Sequence, residues 1–109
     1  MARRDSVAPG SGNVFVDLEI REPEEALAKA RLAAKISSII THRHLTQAEA
    51  AEILGIDQPK VSALMRGRLE GFSTERILRF LNALGRDVEI VIKKRGPAAS
   101  PGRVRVIAE

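Results

Sequence analysis

Three side chains near the middle of the chain have the chemistry to read the edge of a base pair. Gln58 carries a primary amide, which donates and accepts in one plane and can pair with both N7 and N6 of adenine. Lys60 brings a cation able to reach a guanine edge or a phosphate, and Ser62 a short hydroxyl suited to base or backbone. The surrounding charge is one-sided: no acidic residue occurs from Gln58 through Leu69, and Arg66 and Arg68 flank Gly67. Upstream, Thr46 and Gln47 stand where the free amides of a helix N-terminus would face an anion. Thr46, Gln47, Arg66 and Arg68 are therefore candidates for phosphate contacts, which position a protein on a duplex without specifying sequence. A solvated turn is the competing reading of each Arg.

These groups act together only if a helix presents them, and residues 45–67 have the spacing of two short helices joined by a tight turn. Ala51 is small where a second helix, crossing at roughly 90–120°, must come close. Gly55 ends the first helix in a turn that needs positive φ, and Val61 and Leu64, three apart, form the inward face of the second. The caps agree. Thr46 and Glu49 make a capping box, with Leu45 placed to staple onto Ala50. Asp57 is the N-cap of the second helix and Pro59 sits in its first turn, where a missing N–H costs nothing, so that helix runs over about 58–66.

LTQ, a central Ala, Gly and a Gln near the start of the second helix, followed by an apolar–Ser pair, resemble the Cro/CI-type (XRE) helix-turn-helix family. NVFVDLEI at 13–20, IDQPKVSALMRGRLEGFS at 56–73 and LNALGRDVEIVIK at 81–93 resemble more closely the compact HigA-type antitoxins within that superfamily. The resemblance covers about residues 13–94. It implies a lambda-repressor-like domain, a phosphate-contacting role for Gln47, and a small mRNA-cleaving toxin as partner. Pro59 departs from the pattern, since it offers no donor where many relatives carry a polar residue.

With 109 residues, 44% of them hydrophobic, the chain has room for one domain with a modest core. A net charge of +4 favours polyanions. No Cys is present, which excludes disulfides and thiolate metal sites; there is no membrane-spanning run and no signal-peptide core near Met1, so a cytoplasmic protein is expected. His42 and His44 lie two apart and face different directions on a helix end, which is poor geometry for a metal. Glu22, Glu24 and Glu25 suit the positive end of a helix, and no nucleophile elbow or phosphate loop occurs. No enzyme activity, cofactor or metal is expected.

Along the rest of the chain, residues 1–12 are Gly/Pro/Ser-bearing and read as a disordered tail, with Arg3 and Arg4 available to phosphate. Residues 13–20 alternate apolar and polar positions, apart from Phe15, and suggest a short strand before a helix opened by Pro23. Leu27, Ala30, Ile36, Ile39 and Ile40 would be that helix's core stripe, ending near residues 41–44. Phe72 and Ser73 read as staple and N-cap of a further helix with a buried stripe of Ile77, Leu78, Leu81 and Leu84, Phe80 at its edge, stopped by Gly85. Residues 88–93 alternate again, and because a lone strand is not stable in water, Val88, Ile90 and Ile92 are expected at the interface of a homodimer. Residues 95–109 read as a flexible tail in which 103–109 is a weak strand or a disordered end.

The expected fold is all-α, a helix-turn-helix domain of four to five helices at 13–94 with a C-terminal β-strand pairing across a homodimer. The expected function is sequence-specific binding of double-stranded DNA at a palindromic operator, as the autorepressing antitoxin of a type II toxin–antitoxin operon. A free-standing Cro/CI-type repressor without a toxin is the alternative.

Overall fold

A computed structural model of the chain describes residues 13–95 and 101–108, with side chains from residue 24 onward. The expectations for residues 1–12 lie outside the described residues. The described secondary structure is four helices: α1 (Asn13–His42), α2 (Gln47–Leu54), α3 (Gln58–Met65) and α4 (Thr74–Ala83).

Local chemistry sets the helix ends. Thr46 accepts from the Glu49 amide at 3.0 Å while Glu49 accepts from the Thr46 amide at 2.8 Å, completing the capping box of α2. Asp57 and Ser73 cap α3 and α4 in the same way, accepting from the Lys60 and Arg76 amides at 2.9 and 3.2 Å. Gly55 closes α2 with φ at 73°, its amide donating to the Ala51 carbonyl at 2.8 Å. The end of α1 makes a similar left-handed turn without glycine. His44 has φ at 57°, its amide donates to Thr41 and that of Leu45 to Ile40, both at 3.0 Å, satisfying carbonyls the helix leaves free.

One core joins the four helices. Ala33, Ile36, Ile39 and Ile40 of α1 meet Ala50, Ala51 and Leu54 of α2, Val61 and Leu64 of α3, and Ile77, Phe80 and Leu81 of α4 with Phe72 and Leu84 at its ends. The Phe72 and Phe80 rings meet edge to face with centroids 5.9 Å apart, and the Arg76 guanidinium lies 5.6 and 5.7 Å from those centroids. Arg43 donates to the Leu84 carbonyl and ties the ends of α1 and α4 together.

Several expectations are corrected. Residues 13–20 belong to α1, so Pro23, Glu24 and Glu25 lie inside a helix of 30 residues and not in its first turn. Val14 and Leu18 are also four apart, and so short an alternating segment does not distinguish strand from helix; a helix satisfies its own backbone where a strand needs a neighbour. Leu27 and Ala30 are exposed while Ala28 is buried, a one-residue shift in the inward stripe. Phe80 is buried and Leu78 half-buried, because the ring pair with Phe72 takes the inward place. Residues 88–93 form no strand: among the described residues no strand is present to pair with them. Val88 packs on the core, whereas Ile90 and Ile92 are 77% and 93% exposed.

Candidate nucleic-acid interface

The turn between α2 and α3 is Gly55, Ile56 and Asp57, three residues that bring the two helices into contact. Ala51, at the crossing, is buried, and Ile56 half-buries into the turn. Val61 and Leu64 are 0% and 1% exposed, so the inward face of α3 is fully committed to the core. The opposite face is therefore held rigidly toward solvent. At about 100° per residue, Pro59 and Arg66 lie directly opposite the buried pair, with Ser62 and Ala63 beside them. Gln58 and Lys60 flank this stripe at the first turn, where both are exposed.

The chain is matched over residues 14–93 by a family model described as a helix-turn-helix domain. A solved structure named as an XRE family transcriptional regulator is 49% identical, covering 81% of this chain and 99% of that one with a TM-score of 0.75. The chain belongs to the XRE helix-turn-helix family. No curated protein matches it.

In this XRE-family domain the remaining candidates fall on the same rigid frame. Thr46 and Gln47 are exposed at the N-terminus of α2, and Thr46 spends its side chain on the cap, which leaves its hydroxyl less free than that of a bare surface threonine. Arg66, the C-cap of α3, and Arg68 in the next turn are both exposed. That turn is fixed to the scaffold: the Lys29 ammonium donates to the Leu69 carbonyl at 3.3 Å, and the Phe72 amide donates to the same carbonyl at 3.0 Å. Ser62 is half-buried, so it reaches outward less far than Gln58 or Lys60.

Sequence reasoning passed over Ala63. It stands four residues after Pro59 at the edge of the outward stripe, half-buried like Ser62 and packed partly against the core, and helical spacing from Val61 and Leu64 was signal enough to place it there. His42 and His44 are exposed, and among the described residues no group of three His, Cys, Asp or Glu is arranged to hold a metal ion. Nor, among those residues, is any helix long and apolar enough to cross a membrane.

Proposed function

We propose that this regulator binds a palindromic operator as a homodimer with α3 in the major groove, and that it is the antitoxin of a type II toxin–antitoxin operon. The carrying observation is the outer face of α3. It is anchored by fully buried Val61 and Leu64 and presents an amide, a cation and small side chains with no carboxylate among them. Gln58 is the principal base reader, Lys60 and Ser62 add base or backbone contacts, and Ala63 and Pro59 offer apolar contact to a thymine methyl. Thr46, Gln47, Arg66 and Arg68 contact phosphate.

A single recognition helix buries little surface, and two half-sites roughly 34–36 Å apart are the usual remedy. Residues 88–93 supply a means: this segment, with no helix or strand in the single chain and with Ile90 and Ile92 exposed, can take up an antiparallel pairing with a second copy about a two-fold axis. Ile90→Pro, which removes an amide, should then yield a monomer in sedimentation, while Lys93→Ala remains dimeric. The antitoxin assignment is supported by the likeness of residues 13–20, 56–73 and 81–93 to HigA-type antitoxins, which makes an mRNA-cleaving toxin the partner.

The test is to look for a small reading frame adjoining its gene and to co-express the chain with that frame's product. Copurification, relief of growth arrest and a shared complex on the upstream DNA are expected. Tight binding to that DNA with no complex and no relief would leave the free-standing Cro/CI-type repressor as the answer.

A further inference from the structure

Lys29 occupies a place in α1 where an apolar residue would be expected. It precedes Ala33, Ile36 and Ile40 by 4, 7 and 11 residues, so it continues their buried stripe one turn toward the helix N-terminus. Lys29 is half-buried there. A cation on an inward stripe needs an acceptor, and the Lys29 ammonium has one in the Leu69 carbonyl, 3.3 Å away and 40 residues further along the chain.

That carbonyl belongs to the loop between α3 and α4, which is held at both ends. Upstream, Gly67 at φ 78° and Arg68 donate their amides to the Leu64 and Ala63 carbonyls at 3.1 and 2.9 Å, closing the loop onto α3. Downstream, the Phe72 amide donates to the Leu69 carbonyl at 3.0 Å, and the Phe72 side chain is 5% exposed in the core. Arg68 stands between these anchors, fully in solvent, one residue before the carbonyl that Lys29 holds. Arg66 differs, because as the C-cap of α3 it is placed by the helix itself.

We propose that Lys29 is a positioning residue for DNA binding: from α1 it fixes the α3–α4 loop so that the Arg68 guanidinium stands ready for a backbone phosphate, without touching DNA itself. The inference rests on the phosphate role proposed above for Arg68. A loop already held in its bound conformation loses less freedom on association, so this cation contributes to affinity where an apolar residue would contribute to stability.

Lys29→Met keeps the long stem and removes the donor, and the Leu69 carbonyl retains the Phe72 amide. Binding of the full chain to the DNA upstream of its gene and to a scrambled duplex should weaken about three- to tenfold on both, with an unchanged or raised melting temperature. Lys29→Arg should restore binding to within about twofold. In an Arg68→Ala background, which alone should bind both duplexes more weakly, Lys29→Met should change affinity by less than about twofold, since the group it positions is gone. Equal losses in both backgrounds would make Lys29 a direct or long-range electrostatic contributor and overturn the inference, as would no loss in either or a loss that Lys29→Arg leaves in place. Unaltered binding by Arg68→Ala would remove the phosphate role of Arg68 itself, and the positioning role with it.

Discussion

Between residues 33 and 85 each helix end is closed by a backbone or side-chain hydrogen bond, with the Gly67 and Arg68 amides donating to Leu64 and Ala63 at the end of α3, and the apolar side chains of four helices share one core. The flanking segments are different: residues 88–95 and 101–108 hold Ile90, Val91, Ile92, Val104 and Ile107, all large, apolar and exposed. Both regions are rich in aliphatic side chains, so hydrophobicity does not separate them. What separates them is where the backbone finds its hydrogen bonds. The helices satisfy theirs locally, with caps encoded a few residues away; an extended segment depends on another strand, and that strand need not belong to the same chain.

The first way to break this comparison is at its most buried point. Leu64→Ala should destabilise the fold by about 2–5 kcal/mol in urea denaturation, because a fully buried leucine leaves a cavity beneath α3. Ile92→Ala should stay within about 0.5 kcal/mol in the same assay run at dilution, since its side chain touches solvent in the single chain. Comparable losses at the two positions would erase the distinction between the regions.

The caps come next. Thr46→Ala removes the hydroxyl that accepts from the Glu49 amide and should cost about 1 kcal/mol, read as a lowered melting temperature. Gly55→Ala should cost a similar amount, about 1 kcal/mol, for the backbone alone: no heavy atom lies within 4 Å of the added methyl, and φ stands at 73°. His44→Gly reverses the sign. A non-glycine residue at φ 57° bears a conformational cost there, so the variant should gain about 0.5–1 kcal/mol.

This contrast also explains what the sequence revealed. Thr46 with Glu49, Asp57, Ser73 and Gly55 were legible because a cap is a short-range pattern whose partners sit within a few residues. Alternation at 13–20 misled because an eight-residue segment of mixed apolar and polar positions is short enough to fit either period, and Pro23 looked like a helix start while lying inside α1. The inward stripe of α1 slipped from Ala28 to Leu27 because a small residue gives a weak hydrophobic signal even where it is buried. Phe80 was placed at an edge because its partner, Phe72, lies beyond the helix start, where periodicity carries no information. For the site, the exposed positions Gln58, Lys60, Arg66 and Arg68 could be read directly, whereas the half-burial of Ser62 and Ala63 follows from how α3 sits on its neighbours.

The central claim is that α3 reads sequence through Gln58 while its basic end holds the backbone. The most direct measurement titrates the DNA upstream of the gene, and a scrambled duplex, at several salt concentrations with the unaltered chain, Gln58→Ala and Arg66→Ala. Gln58→Ala should lose about 1–3 kcal/mol on the operator, little on the scrambled duplex, and relax preference at one base pair per half-site; Arg66→Ala should weaken both duplexes alike and shallow the salt dependence. Equal losses on both duplexes for Gln58→Ala, or none on either, would contradict the account.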